Sequence, residues 1–597
     1  MDNAYKADKE AFVSGLSGSS VGHINAISLL VAFLSVAVHA GVQTRLTPRV
    51  PPALAFAILV LPLLLGMTVF ANDPTALVLA LLAPAIVLYV TPPRELGTPL
   101  PSRAPAPPAP RARAIPPLPA LTTFRAHMLL MTILAILAVD FPLFPRALAK
   151  CESFGVSLMD VGVGAFVFAQ GIVSARPILA DPRHLSAPAL PKARAAARRA
   201  APILALGLAR AALVKGTAYP EHVTEYGAHW NFFLTLALVP PLQVLLHPLI
   251  ARGAPVPALG VLVAVGQQAL LTVGGLSDYV LHAPRTGLIS QNKEGIVSLL
   301  GYLAIDLLGL ATGTLILPPS PADFRRAQRA RRVRGGGEGG WAGGEGGRGG
   351  DAKKDDDAGR EYDAGREDDA GGAGRAGGAG RAGGAGRAGG AKKDDGAKKD
   401  AGDQTPPARA DDQTPPARAD DKTATELLGY ALLWWALFYL ARLAGPEVSR
   451  RMVNLPYILW VAAYTTSALL GYLALDLLFF PRAARYSAVS GLKRRAGVGG
   501  WEGRGGVEGW EGRGGVEGWE GRGGVGGWDA RAAPLLDAIN RNGLVLFLLA
   551  NILTGCINLT TQTMYASDAA ALAILCAYAA GVCWVAWRCR GGRVLRV

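Results

Sequence analysis

The chain has 597 residues, of which 51% are hydrophobic and only 18% are charged, and its mean hydropathy is +0.28. A soluble protein of this size would be more polar, so the composition predicts residence in a membrane. The formal net charge of +15 is compatible with nucleic acid or with anionic lipid as a partner. The positions of the basic residues have to distinguish between these two partners.

Apolar stretches of about 20 residues, the length that crosses a hydrocarbon core as a helix, recur along the sequence. They predict an all-α polytopic membrane protein with about thirteen transmembrane helices. A polar stretch precedes the first span and no small-residue cleavage pattern follows it, so this span is expected to be a retained signal anchor. The predicted spans cover residues 24–42, 53–70, 76–91, 127–141, 157–174, 199–216, 230–250, 255–275, 296–317, 425–443, 456–480, 543–562 and 569–588.

Basic residues concentrate in the loops that follow the odd-numbered spans, including Arg45, Arg94, Arg183 and the dense run over 325–334. The positive-inside bias places these loops in the cytosol, together with the C-terminal arginines. The N-terminus is then lumenal and the C-terminus cytosolic, which an odd number of spans satisfies.

Two low-complexity insertions interrupt the pattern: residues 335–424 carry AGGAGR and DQTPPARAD repeats, and residues 497–528 carry GWEGRGG repeats. Their composition offers too little apolar surface to offset the entropy of ordering, so both are expected to be disordered cytosolic segments. RNA binding by Gly-Arg repeats with interleaved tryptophans is the alternative, but acidic residues among the arginines neutralise much of the field. The membrane domain then comprises residues 1–334 with spans one to nine, 425–496 with spans ten and eleven, and 529–597 with spans twelve and thirteen.

The loops on the predicted lumenal side are short and rich in groups that titrate or form hydrogen bonds. After the fourth span, Pro142 and Pro145 break the helix just beyond Asp140, and Lys150 follows. Backbone that turns back at membrane depth has to line a cavity, which would bring Lys150 within reach of Asp140. Intramembrane ionisable groups are costly and usually functional, so the pair is predicted to be catalytic; a salt bridge that pins a re-entrant turn is the alternative.

Polar residues in the other lumenal segments are candidates for binding substrate. Asp160 opens span five, where a polar contact at the helix terminus is expected. His229 is an alternative general base, although an interfacial histidine beside a tryptophan is more often an anchor. A capped, solvated helix start explains Gln291, Asn292 and Lys293 about as well as an anion site does. The remaining candidates are Arg146, Glu225 and Asn231 in the same loops, then Arg450, Arg451 and Asn454 on a side that the charge bias should leave free of arginine, and Asn540 and Arg541 before span twelve.

Several of these segments together resemble the GPI inositol acyltransferases, multi-span enzymes of the endoplasmic reticulum membrane. They occur in the family's order and cover most spans from the fourth onward, whereas the two Gly-rich insertions have no counterpart. The resemblance is carried by DFPLFPR from Asp140, SLMDVGVG from Ser157, EYGAHWNFF from Glu225, SQNKEG from Ser290, NLPY from Asn454 and NRNG from Asn540.

The resemblance implies transfer of a fatty acyl group, typically palmitoyl, from acyl-CoA to the inositol ring of glucosaminyl-phosphatidylinositol in GPI-anchor biosynthesis. An inositol hydroxyl needs a base and the thioester oxygen needs a donor, so Asp140 and Lys150 would supply one of each. Acyl-CoA (palmitoyl-CoA) is then a co-substrate, the other partners are lipids, and nucleic acid is not expected. No bound cofactor or metal is expected, since the five scattered cysteines have no ligand spacing.

A lipid transporter or scramblase is the leading alternative, because many spans with intramembrane charges also describe a conduit. Transporters commonly show internal repeats in their hydropathy, and no matching halves are seen in this sequence. The clustering of polar groups on one face of the membrane favours an enzyme.

Overall fold

In a computed structural model the chain is helical. The structure describes residues 8–9, 11–12, 14–94, 115, 118–215, 223–337, 418–480, 533–592 and 594, and within these residues the only extended pairing is an isolated bridge between Gly18 and Val156. The principal helices are α1 (Val21–Leu46), α2 (Pro52–Gly66), α3 (Thr75–Val90), α4 (Pro119–Ala138), α5 (Leu158–Ala180), α6 (Ala189–Lys215), α7 (Phe232–Leu245), α8 (Val256–Thr272), α9 (Lys293–Ile316), α10 (Asp420–Leu443), α11 (Leu455–Phe479), α12 (Gly543–Thr560) and α13 (Asp568–Arg588).

Every predicted span corresponds to one of these helices, so the prediction of an all-α polytopic membrane protein is confirmed. Within the described residues, eight helices are long and apolar enough to cross a membrane. A ninth results if α8 is counted with the short helix Leu276–His282, from which it is bent by 61°. Helices α2, α3 and α7 are shorter, and α6 carries basic residues along much of its length. A count of thirteen spans is therefore not established.

The helices run between two ends of the bundle, which we call the Asp140 end and the opposite end. Near the end of α12, Asn558 donates a hydrogen bond to the Asp140 carboxylate (2.8 Å). Just before the start of the same helix, Asn542 donates to the carbonyl oxygen of Cys589 (3.1 Å). Since 18 helical residues rise about 27 Å, the N-terminal segment beside Asp140 and the residues after α13 lie at opposite ends. Which end faces the lumen stays a prediction.

The turn after α4 is held by Arg146. Its Nη2 donates to the carbonyl oxygens of Val139 (2.9 Å), Phe141 (3.2 Å) and Phe144 (2.7 Å). These carbonyls follow the last helical turn and need partners, and a cation is favourable at this terminus. Burial lowers the pKa of Arg146 to about 10, which still leaves the guanidinium charged at neutral pH. Arg146 is thus occupied in shaping the loop that carries Asp140.

Helices α5 and α9 approach each other closely through glycine. A Cβ atom at Gly171 would lie 2.1 Å from the carbonyl oxygen of Asp306, and one at Gly309 would lie 2.2 Å from that of Phe168. Small residues at a crossing let membrane helices gain packing contacts that larger side chains would block. Because α5 and α9 both begin at the Asp140 end, their close packing fixes the side chains of their first turns relative to each other.

The two predicted disordered insertions lie outside the described residues, apart from their margins. One margin is wrong: α10 begins at Asp420 rather than near residue 425. Arg418 explains the earlier start, because its Nε pairs with Asp420 (3.1 Å) while its Nη1 donates to the carbonyl oxygen of Leu317 at the end of α9 (3.3 Å). The helix Asp323–Gly337 likewise extends past residue 334.

We expect Gly171→Ala to lower the unfolding temperature of the purified protein. The new methyl group would force backbone apart at the α5–α9 crossing, and overpacking typically costs about 1–3 kcal/mol. Gly162→Ala is the matched control on the same helix, because the nearest atom to its Cβ would be the Thr132 hydroxyl oxygen at 3.8 Å, an ordinary contact. Equal unfolding temperatures for the two variants in detergent would contradict this packing.

Candidate active site at the Asp140 end

Asp140 lies just beyond α4 and is only 6% exposed. Its Oδ1 pairs with the Lys9 ammonium of the N-terminal segment (3.3 Å), and its Oδ2 accepts a hydrogen bond from Asn558 (2.8 Å). Asn558 in turn accepts from Lys9 (3.2 Å) and from the Thr563 hydroxyl (3.1 Å) through Oδ1. Each oxygen of the Asp140 carboxylate therefore has a partner, and neither partner belongs to α4.

Lys150 has a different partner from the one predicted. Its ammonium contacts both carboxylate oxygens of Glu225 at 2.9 Å. The predicted ion pair between Asp140 and Lys150 is thus wrong: among the described residues, each of the two pairs with another side chain. The physical reason is that Arg146 holds the turn after α4 and that two more segments, residues 223–231 and the N-terminal segment, reach this end and supply the partners. The Lys150 side chain remains about one-third exposed, at 35%.

Asp160, in the first turn of α5, pairs with Arg450 from the turn before α11. Arg450 Nε lies 2.6 Å from Asp160 Oδ1, and both side chains are almost fully buried. Asp160 Oδ2 also accepts from the backbone N–H of Cys151 (3.0 Å). Burial opposes the charge of the guanidinium, but the Asp160 carboxylate outweighs this and raises the pKa of Arg450 well above its usual value. The Tyr226 ring lies against the same guanidinium, at 5.5 Å from its centroid to Cζ.

Arg451 points to the other side of this turn. Its Nη2 lies 2.8 Å from Glu294 Oε1, and Glu294 also binds Arg285 through both carboxylate oxygens at 2.5 and 3.0 Å. Glu294 is fully buried in the first turn of α9. The anionic ligand that we predicted for Arg450 and Arg451 is not needed to explain their position, because protein carboxylates already pair with both.

The turn that presents the two arginines is tightly fixed. Asn454 caps α11 by accepting from the backbone N–H of Tyr457 (3.3 Å), and it also accepts from that of Ser449 (3.1 Å). Val453 has a φ of 46°, which a β-branched residue rarely adopts. Such strain persists where the surroundings over-determine it and is common at functional sites. Asn454 therefore acts here as a cap rather than as a free amide.

The segment around His229 packs on the start of α9. Asn292 accepts from the backbone N–H of His229 (2.8 Å), and its amide lies 3.5 Å from His229 Nδ1. Asn231 caps α7 and donates to the carbonyl oxygen of Gly207 (2.8 Å). Gln291 accepts from the backbone N–H of Ala228 (2.9 Å) through its carbonyl. The side-chain amides of Asn231 and Asn292 are thus engaged in structural hydrogen bonds, and Gln291 takes part through its backbone carbonyl.

Lys293 is likewise committed to the fold. Its ammonium donates to the carbonyl oxygens of Ala283 (2.5 Å) and Tyr279 (3.2 Å), at the end of the short helix Leu276–His282. A lysine near a helix C-terminus satisfies carbonyls that have no helical partner. The predicted anion site at Lys293 is therefore not supported by its contacts.

Asn540 and Arg541 lie at the opposite end of the bundle, just before α12 begins. Arg541 pairs with Asp537 one turn earlier on the short helix Pro534–Arg541 (2.6 Å). The length of α12 separates this helix from Asp140, so the structure does not bring these two residues together with Asp140.

Cys151 offers the only thiol beside the site in the described part of the chain. It is 5% exposed, and burial, with a further contribution from Asp160, raises the pKa of the Cys151 thiol far above its usual value. A thiol that stays protonated is a poor nucleophile at neutral pH. The Cys151 thiol is consequently not a candidate nucleophile.

Sequence reasoning missed several members of the site, above all Lys9, Asn558 and Arg285. Asn558 carried a usable signal, because an amide inside an apolar span is costly and seldom without a role. The sequence around Lys9 carried no such signal, since Lys9 belongs to an ordinary polar N-terminal stretch far from Asp140 in sequence.

Comparison with known proteins fits this arrangement. The family model described as GWT1 matches residues 5–589. The chain belongs to the GWT1 family. Similar curated relatives of this family are the proteins named GPI-anchored wall transfer protein 1 from Gibberella zeae, 34% identical over 98% of this chain and 97% of that protein, and from Aspergillus oryzae, 34% identical over 98% of each. The protein of the same name from Yarrowia lipolytica is 31% identical over 97% of this chain and 96% of its own length. The resemblance inferred from the sequence is confirmed.

In this GWT1 family member, we expect Arg450→Met to destabilise the fold strongly. It would leave the Asp160 carboxylate buried without its cation, and breaking a buried pair typically costs about 3–5 kcal/mol. Arg326→Met is the matched control, because its pair with Asp323 is exposed, at 69% and 39% for the two side chains, and exposed pairs contribute roughly 0–1 kcal/mol. Thermal unfolding in detergent compares them, and an Arg450→Met that unfolds no earlier than Arg326→Met would refute the structural role of the pair.

Proposed function

We propose that this protein acts in GPI-anchor biosynthesis by transferring a fatty acyl group, palmitoyl in the first instance, from acyl-CoA to an inositol hydroxyl of glucosaminyl-phosphatidylinositol. Membership of the GWT1 family and the printed names of its relatives support the pathway. The observation that supports the proposed reaction is the buried Asp140 carboxylate, which is bound at the end of α4 by an ammonium and an amide.

The acceptor hydroxyl needs a general base, because a sugar-type hydroxyl is a weak nucleophile at neutral pH. Asp140 is a carboxylate with one oxygen on Lys9 and the other on Asn558, so its position is fixed before substrate arrives. When an inositol hydroxyl approaches, one carboxylate lone pair accepts its proton while the oxygen attacks the thioester carbonyl. The C–S bond of the tetrahedral intermediate then breaks, and the proton taken up by Asp140 passes to the sulfur, so that CoA leaves as the free thiol and Asp140 is again a carboxylate.

The thioester oxygen becomes negative during attack and needs a donor within hydrogen-bond distance. Lys150 is the candidate, since its ammonium is about one-third exposed and its only carboxylate partner in the contacts of the described residues is Glu225. Glu225 would hold the ammonium ready without burying it. This role replaces the direct pairing of Lys150 with Asp140 that the sequence predicted.

Apolar surface that could receive acyl chains lies along α8. A groove of about 540 Å³ between α8 and α9 is lined by Val263, Leu270, Val273 and Leu300. A second cavity of about 360 Å³ is lined by Gln268, Thr272, Glu447 and Asn454 beside the arginine turn. Ligand sites of this kind combine an apolar wall with a few polar groups that orient the ligand. The substrates are thus expected to enter from the bilayer, and GPI synthesis places the protein in the endoplasmic reticulum membrane.

We expect Asp140→Asn to lower the rate of acyl transfer by about 10²- to 10⁴-fold, because loss of a general base typically has that effect. The assay uses purified protein, palmitoyl-CoA and glucosaminyl-phosphatidylinositol, and it follows formation of the acylated lipid. Asp278→Asn is the matched control: this carboxylate belongs to the helix Leu276–His282, is 88% exposed, and should leave the rate unchanged.

His229→Ala separates the two candidate bases. The His229 imidazole Nδ1 lies 3.5 Å from the Asn292 amide, so its loss should chiefly raise KM by loosening the segment that carries Glu225. A near-normal rate in Asp140→Asn beside an inactive, folded His229→Ala would transfer the base assignment to the histidine.

A further inference from the structure

The N-terminal segment is fastened along the loop that joins α4 to α5. The backbone N–H of Glu152 donates to the carbonyl oxygen of Leu16 (3.0 Å), and that of Ser19 donates to the carbonyl oxygen of Val156 (2.7 Å). A Cβ atom at Gly155 would lie 2.0 Å from the carbonyl oxygen of Ser17, so the two backbones touch. This contact sets where the residues before Ser14 can reach.

Two side chains of that upstream stretch enter the site. Phe12 stacks on Arg146, with 3.8 Å from the ring centroid to Cζ. Lys9 places its ammonium 3.3 Å from Asp140 and 3.2 Å from Asn558, and its side chain is only 12% exposed. Arg146 shapes the Asp140 loop, so the N-terminal segment contacts both the carboxylate and the residue that holds its backbone.

We propose that Lys9 is the positioning residue of Asp140: it fixes the orientation of the carboxylate that accepts the substrate proton. This inference rests on the proposed function of Asp140. The Lys9 ammonium attracts one carboxylate oxygen, and Coulomb attraction is strong where water is scarce. The ammonium also donates to the side-chain amide oxygen Oδ1 of Asn558, which turns the amide N–H toward the other carboxylate oxygen.

The geometry explains why a cation is needed at this place. Asn558 can donate to Asp140 only while its Oδ1 faces donors, and the two that face it are Lys9 and the Thr563 hydroxyl. Without the ammonium, one carboxylate oxygen loses its partner and the amide loses its stronger orienting contact. The carboxylate would then rotate away from the line of attack, and a misplacement of about 1 Å can cost about 10²-fold in rate.

The test measures kcat and KM for acyl transfer by the purified full chain and its variants. We expect Lys9→Met to lower kcat by about 10- to 100-fold with little change in KM, and Lys9→Arg to restore much of the loss. Asp8→Asn is the control on the same segment, because Asp8 binds the exposed Tyr565 hydroxyl (2.7 Å) rather than Asp140. In the Asp140→Asn background, Lys9→Met should cost nothing further, since Lys9 acts through that carboxylate.

The outcomes separate this inference from the proposed function. Absence of acyl transfer in the unaltered protein would overturn the proposed function itself. An active protein in which Lys9→Met keeps a normal kcat, or in which Lys9→Met and Asp140→Asn multiply their effects, would overturn the role of Lys9. If thermal unfolding shows that Lys9→Met fails to fold, Lys9→Arg and the double variant decide. A Lys9→Arg variant that is inactive because it also fails to fold would mark Lys9 as structural and refute the proposal.

Discussion

Ion pairs buried at one end of an apolar bundle are the constraint on which the rest of this structure depends. A charged side chain can be held away from water only if a partner and further hydrogen bonds offset its desolvation. The Asp160–Arg450 pair joins the start of α5 to the turn before α11, and the Glu294–Arg451 pair joins the same turn to α9. Three helices that are distant in sequence are thereby fixed at the end where Asp140 lies.

These buried ion pairs fix the positions of the helices, and their charges take no part in the proposed reaction. Arg450 and Arg451 are occupied by protein carboxylates, so the groups proposed for chemistry are Asp140 with its two donors and Lys150 with Glu225. A frame whose charges are satisfied can remain rigid while substrate binds. Such preorganisation is what electrostatic stabilisation of a transition state requires.

The sequence was sufficient for the helices, because their signal is local: a run of apolar residues long enough for the bilayer predicts a helix whatever surrounds it. The motifs around Asp140 and Asp160 could also be identified from the sequence. Partner choice is not local, and there the predictions failed. Lys150 pairs with Glu225 because a separate segment reaches it, and Asp140 receives Lys9 from the N-terminal stretch. Arg541 lies a full helix length from Asp140, which the order of motifs along the chain does not reveal.

We propose that the protein is an acyltransferase rather than a conduit for lipid. The most direct measurement is mass spectrometry of the lipid product after purified protein in sealed vesicles, with no ion gradient, is given palmitoyl-CoA and glucosaminyl-phosphatidylinositol. An acyltransferase would form one palmitoyl ester on the inositol ring for each free CoA released, and Asp140→Asn would form neither product. Movement of unmodified lipid between the leaflets without any release of CoA would contradict it.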